Sequence, residues 1–323
     1  MKAWIGEGAG RSAVFREATL PAPVPGAGQV LLRVRAVGLN LVDRFPKTQH
    51  FSHTPAATAA IPGMEAAGEI AALGEGVQGR RVGERVMAMV QGGCVEYVCV
   101  PASLAMSVPP AMSWTDAAAI PVSFLTAHDA LVTNGRFARG NAVLVQGATT
   151  GVGLAALQLA RLGGASLVAG TSRSAEKLER ARALGLQLPI TTDIAEAMLA
   201  ATAGRGADVV LDHLGARVLN ETLRATAIGG RVVNIGRYAG TRGEIDLELL
   251  ALRRISLIGV TFRTRSLEEH AAIVAAFMDQ HAADLEAGRL RPVIDQVMPF
   301  DELPAAMERA ASGRQFGKLV LMV

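Results

Sequence analysis

Between residues 29 and 37 the chain reads QVLLRVRAV, which puts Val30, Leu32, Val34 and Ala36 on one side of a strand and Arg33 and Arg35 on the other. A period of two predicts a half-buried β-strand. Shorter apolar runs at 69–73, 85–90 and 95–100 are punctuated by glycine-bearing turns, and their spacing predicts a compact antiparallel barrel over the first 120 or so residues. From Trp114 the rhythm changes: helical segments alternate with apolar runs at 142–146, 167–170, 209–212, 232–235 and 255–260. Such alternation predicts parallel β/α units in a doubly wound sheet. Residues 174–184 read as a helix capped by Ser174 and stopped by Gly185. Beyond Arg263 the pattern predicts an amphipathic helix over 267–287, another over 304–311, and a strand at 318–323. That strand is expected to return to the first domain, so the organisation predicted is 1–120 with 264–323 around an α/β domain of 121–263.

Composition narrows the classes. The 323 residues are 50% hydrophobic and only 4% aromatic, which is enough for two packed domains and too apolar for disorder. The net charge of +3 is spread without basic blocks, so nothing favours nucleic acid. Two cysteines, Cys94 and Cys99, cannot build a disulfide framework or a four-cysteine zinc site, and reduced cytoplasmic thiols are expected. The N-terminal residues lack a secretory core, and the most apolar region, 142–170, is broken by glycines and Arg161. A soluble chain without a membrane span is expected.

The chemistry concentrates at 147–153, GATTGVG, between an apolar run and a helical segment. A strand, a tight glycine turn and a helix leave backbone N–H groups at an electropositive helix end that can receive a pyrophosphate. Ala148 and Thr150 depart from the strict G-x-G-x-x-G spacing, and a small-residue turn that merely packs a helix on a sheet is the bland alternative. The next apolar run ends in Gly170, followed by TSRSAEK, with no carboxylate to hold a ribose 2′-hydroxyl. Ser172, Arg173 and Lys177 are placed to accept a 2′-phosphate instead, so NADPH is expected over NADH.

Six further segments carry a family resemblance. They are GLNLVD at 38–43, PGMEAAGE at 62–69, GERV at 83–86, AAIP at 118–121 with Thr126 and Ala127, GADVVLD at 206–212, and GKLVL at 317–321. With the glycine turn they make the chain resemble the medium-chain dehydrogenase/reductase superfamily over nearly its whole length, and most closely its zinc-free branch of NADPH quinone oxidoreductases. The resemblance implies a Rossmann domain, a GroES-like barrel domain carrying catalysis, a cofactor cleft between them, and a homodimer joined near 255–260. It implies cofactor contacts from Asn40, Thr126, Gly151, Val152, Gly153, Ser172, Lys177, Gly236, Phe262 and Gln315. Phe45 stands where quinone reductases often carry a pocket tyrosine, Thr192 where a tyrosine often packs near the 2′-phosphate, and Thr150 where relatives have glycine.

Zinc alcohol dehydrogenases of this superfamily need a cysteine in the first of these segments and a histidine in the second, where this chain has Asn40 and Met64. Neither suits zinc, and only Glu65 of that set survives. His50 and His53 form the one close histidine pair, and they would need Cys94 or Glu65 to complete a site. His128, His213, His270 and His281 have no partner at metal spacing and are expected to be satisfied or exposed. No metal site is therefore expected. Without an ion to take developing charge on oxygen, a quinone or enone is the expected acceptor, since it spreads that charge over its own π-system. Asn40 and Thr126 are candidates to hold cofactor or substrate, Tyr238 is the candidate acid or merely a cover for the cofactor cleft, and Asp43 and Asp212 are expected to be structural. A non-catalytic NADPH-binding module and an atypical zinc enzyme are the alternatives.

Overall fold

The computed structural model describes residues 1–8, 12–45 and 60–323, and divides into two compact units, 1–125 with 262–323 and 126–261. The strands of the first segment are β1 (Lys2–Glu7), β2 (Val14–Thr19), β3 (Gln29–Leu39), β4 (Glu65–Leu73), β5 (Arg85–Met89), β6 (Tyr97–Pro101) and β7 (Met106–Ser107). The middle segment holds β8 (Ala142–Val145), β9 (Leu167–Thr171), β10 (Leu188–Ile190), β11 (Ala207–Asp212), β12 (Thr226–Asn234) and β13 (Ser256–Gly259). The last segment adds β14 (Ile294–Pro299) and β15 (Lys318–Met322).

The first unit is a seven-stranded sheet in which β14-β15-β3-β4-β5-β7 are neighbours and β6 also pairs with β3, next to the two-stranded β1-β2. The alternation in β3 dictates its faces: Val30, Leu32, Val34 and Ala36 are at most 3% exposed, while Arg33 is exposed and Arg35 reaches Glu69 at 2.9 Å. The C-terminal strand β15 lies antiparallel to β3, with Val320 opposite Gly38, and its Leu319, Val320 and Leu321 are buried. That return makes the unit discontinuous. The Trp4 indole N–H adds a second tie by donating to the Phe300 carbonyl at 2.9 Å. The amphipathic helix Leu267–Glu286 starts at a capping box between Ser266 and Glu269 and buries Ile273, Val274, Phe277 and Leu285. Phe277 packs against Phe124 with ring centroids 6.4 Å apart.

The second unit is an all-parallel sheet in the order β10-β9-β8-β11-β12-β13, flanked by helices. Its inner strands β8, β9 and β11, buried on both faces, are near-continuous apolar runs. Leu144, Ala169, Val210 and Val232 meet Met198 and Leu223 of the flanking helices in one core. Chain connections run outward from β8 on one side and from β11 on the other, so the carboxyl ends of these two neighbours form the switch point where such sheets bind ligands. The sixth strand, β10, is missing from the sequence-based expectation. It is three residues long and contains Pro189, which only an edge position tolerates.

Candidate cofactor and active site

In the second unit the turn after β8 is built for close backbone approach. Gly147 has φ +68°, a conformation that L side chains rarely adopt, and a Cβ there would lie 3.3 Å from the Cβ of His213. A Cβ on Gly153 would come within 2.4 Å of the Gly147 carbonyl oxygen, so glycine there lets the helix Gly151–Leu162 dock on the turn. Thr150 is the N-cap of that helix. Its hydroxyl accepts from the Gly153 N–H at 3.1 Å and donates to the Gly147 carbonyl at 2.9 Å. The threonine thus supplies a cap worth about 1 kcal/mol. The Gly151 and Val152 N–H groups have no partner among the described residues and face an anion's preferred place at a helix N-terminus.

The end of β9 closes against this turn. The Gly147 N–H donates to the Thr171 hydroxyl at 3.2 Å, and the Thr149 and Ser172 hydroxyls are 3.1 Å apart. Ser174 caps the helix Ala175–Ala181 by accepting from the Lys177 N–H at 3.2 Å. Arg173 is exposed and Lys177 half-buried, and no carboxylate stands between Thr171 and Ala175. Thr192 is exposed just past the end of β10.

The ends of β11 and β12 are tied together by Asp212. One carboxylate oxygen accepts from the Leu214 and Gly215 N–H groups at 2.8 and 2.9 Å, and the other from the Asn234 amide at 2.9 Å. Asp212 is therefore the expected turn cap. Gly236 donates its N–H to the Asp212 carbonyl at 3.1 Å, and a Cβ there would meet the His213 carbonyl oxygen at 2.8 Å. Tyr238 donates its backbone N–H to the His213 carbonyl at 3.1 Å, and its side chain is 61% exposed. His213 corrects an expectation. It is neither exposed nor satisfied: it is 2% exposed and its Nε2 has no hydrogen-bond partner among the described residues. Burial pulls its pKa down to about 4 despite the neighbouring Asp212 charge, so the ring is neutral near pH 7.

The first unit buries a different constellation. Asn40 precedes the short helix Leu41–Arg44, and its amide donates to Glu65 Oε1 at 3.0 Å while its Oδ1 accepts from Lys318 Nζ at 2.7 Å. Lys318 also bonds Glu65 Oε1, and Glu65 Oε2 accepts from the Val122 N–H at 2.7 Å. Asp43 accepts from the Asn40 N–H at 2.7 Å and the Gly63 N–H at 3.2 Å. Asp43 and Glu65 are fully buried and Lys318 is 5% exposed. Burial raises the Asp43 pKa to about 7 against the opposing pull of those backbone donors and of Lys318. Gly38 approaches Glu65 so closely that a Cβ there would sit 2.7 Å from its Oε1. The closeness of the GLNLVD and PGMEAAGE segments is thus a matter of one packed polar knot.

Two family models match the chain: alcohol dehydrogenase GroES-like domain over residues 26–110 and zinc-binding dehydrogenase over 151–278. The rat synaptic vesicle membrane protein VAT-1 homolog is 33% identical over 318 residues, covering 93% of this chain and 78% of the relative. Human quinone oxidoreductase is 29% identical over 309 residues, covering 93% and 91%. Among solved structures, an NAD-dependent alcohol dehydrogenase superposes with a TM-score of 0.85 at 30% identity, covering 100% of both chains. A mycobacterial protein complexed with NADPH also reaches 0.85, at 26% identity with 100% of both chains covered. The chain belongs to the medium-chain dehydrogenase/reductase superfamily. It falls in the quinone oxidoreductase-like branch, with the GroES-like and Rossmann-type folds of that superfamily, and is one of its oxidoreductases.

A nicotinamide dinucleotide fits the residues present, since the bare Gly147–Gly153 contact, the two open N–H groups and the orphaned His213 nitrogen all lie along one sheet edge. Gly151, Val152, Gly153, Ser172, Arg173, Lys177, Thr192, Gly236 and Tyr238 stand at or just beyond that edge, and Thr126 lies half-buried in the helix Pro121–His128. Asn40, Phe262 and Gln315 belong to the other unit. Phe262 is buried with its ring 4.9 Å from that of His270, and Gln315 is half-buried just before β15. Asn40 is more constrained than a free substrate contact, though its amide keeps one hydrogen and its oxygen one lone pair. Lys318 and His213 were not singled out as site residues in the sequence. Lys318 was visible only as part of GKLVL, while His213 directly follows an apolar strand ending in Asp212, a position at the binding edge that could have flagged it.

His50 and His53 lie outside the described residues. Among the described residues no group of three or more His, Cys, Asp or Glu side chains is arranged to hold a metal. The candidates to complete a site with the histidines are poorly suited. Glu65 has both oxygens engaged, and burial holds the Cys94 thiol well above its usual pKa, which disfavours the thiolate a metal needs. Among the described residues no helix is long and apolar enough to cross a membrane.

Proposed function

We propose that the protein is a zinc-independent reductase that passes a hydride from NADPH to a quinone or an α,β-unsaturated carbonyl. The observation carrying the NADPH reading is the end of β9, where Ser172, exposed Arg173 and Lys177 replace the carboxylate that would repel a 2′-phosphate. Bound NADPH supplies the hydride. The chain's own part is to seat the pyrophosphate on the Gly151 and Val152 N–H groups and the extra phosphate on Ser172, Arg173 and Lys177. Thr192, Gly236, Phe262 and Gln315 complete the proposed cofactor contacts.

The donor chemistry of Asn40 and Met64 supports a reaction without zinc, and a conjugated acceptor needs no ion because its own π-system takes up the charge. Asn40, fixed by Glu65 and Lys318, and Thr126 are the proposed groups that orient the nicotinamide or the acceptor's oxygen. Tyr238, exposed at the sheet edge, is the proposed source of the proton. The protein is proposed to act in the cytoplasm as a homodimer joined through β13, an edge strand whose Leu257 is 41% exposed. The residues 1–125 with 262–323 are the proposed catalytic domain.

The test is NADPH consumption by protein dialysed against chelator, across a panel of quinones and enones. Turnover that persists without metal is expected, whereas silence across the panel, or activity restored only by zinc, sinks the reading. Arg173→Ala is expected to raise the NADPH dissociation constant about tenfold and leave that for NADH unchanged, as loss of one charge-assisted phosphate contact requires.

A further inference from the structure

The most informative atom outside the proposed contacts is the Nε2 of His213. It sits one residue past the carboxyl end of β11, beside the turn that follows β8, and thus at the switch point of the sheet. Two glycines pack against the residue that carries it. Gly147 leaves room for its side chain, and Gly236, past the end of β12, closes on its backbone carbonyl. The ring is 2% exposed and its Nε2 is unpartnered among the described residues, a combination that native structures avoid unless a ligand or water completes it.

Resting on the NADPH reading, we propose that His213 is a cofactor contact, its Nε2 hydrogen-bonding the nicotinamide-side ribose–phosphate half of the dinucleotide. The choice of half follows from placement. Ser172, Arg173 and Lys177 take the adenine-side phosphate beyond β9, so the remainder of the molecule crosses the glycine turn toward the ends of β11 and β12, where His213 stands. A neutral imidazole suits that place. It offers one donor or acceptor, according to tautomer, to a hydroxyl or phosphate oxygen without adding charge.

The test compares two ligands on three proteins. NADPH spans both halves, while adenosine 2′,5′-bisphosphate carries only the adenine half. His213→Phe keeps a ring against Gly147 and removes the nitrogens, and His213→Gln returns a polar group to the same reach. Binding is read by fluorescence titration, and thermal melting reports folding. The expected result is an NADPH dissociation constant raised about tenfold in the Phe variant and largely restored in the Gln variant, with the fragment's constant within about twofold throughout.

Equal NADPH binding by wild type and the Phe variant overturns the proposal and leaves a trapped water as the partner of Nε2. Equal weakening of both ligands also overturns it, because His213 then only shapes the turn. If the Phe variant does not fold, the wild-type protein decides the matter by its imidazole 15N shifts. Movement of the His213 Nε2 signal with NADPH but not with the fragment is expected, and a signal unmoved by either overturns the contact. Failure of the wild type to bind NADPH at all is a distinct result, which removes the cofactor reading itself.

Discussion

The two units each bury polar chemistry, and they do so in opposite ways. In the first, the ionisable Asp43, Glu65 and Lys318 form with the Asn40 amide a knot whose members bond chiefly to one another. In the second, the Asp212 carboxylate at the centre of the sheet edge is satisfied by neighbouring backbone N–H groups and the Asn234 amide, and what surrounds it is uncharged. The edge has backbone N–H groups, glycines and a neutral imidazole, and some of these are left without a protein partner. A knot that satisfies itself holds loops in place, whereas an edge with open donors waits for a ligand. The difference separates positioning from binding on physical grounds.

Breaking the knot is expected to have the largest effect. Lys318→Met leaves the Glu65 carboxylate buried without its cation and is expected to lower the unfolding free energy by about 3–5 kcal/mol, read from denaturant midpoints, with Lys318→Arg losing much less. Second comes a pH test of the same knot. The folded protein keeps a proton on Asp43 up to about pH 7 that the unfolded chain loses near pH 3.8. This contribution to stability is therefore fully present below pH 3.8 and lost as pH rises through about 7. By linkage the loss is of the order of 4 kcal/mol, and it is expected to vanish from the pH profile of Asp43→Asn relative to wild type. The edge is expected to be gentler. Thr150→Ala removes the cap on Gly153 and is expected to cost about 1 kcal/mol of stability. The freed N–H remains available to phosphate, so NADPH affinity is expected to hold. If the ranking inverted, with the edge outweighing the knot, the contrast between the two regions would fail.

Legibility in the sequence followed the range of the interactions. The faces of β3 were readable because a half-buried strand writes its burial at every second residue. The glycine turn and the Asp212 cap were readable because their partners lie within a few positions. The barrel expectation found its longer central strands but not β1 and β2, neither of which carries a clean alternation, nor β7 and β14. Lys318 was not readable as a partner of Glu65 because 253 residues separate them, and only the fold joins the two. His213 was misjudged for a related reason. Metal spacing along the chain says nothing of a histidine packed against two glycines at the ends of other strands.

The lysine that completes the knot is translated after every residue of the second unit. During synthesis the inner unit has all its strands before β15 emerges, so it is free to assemble first, while β3 and β4 must wait with the acid of Glu65 not yet neutralised. Ribosome-bound intermediates of this chain should therefore display one finished body and one unfinished one, and the interval between them is when chaperones have most to protect.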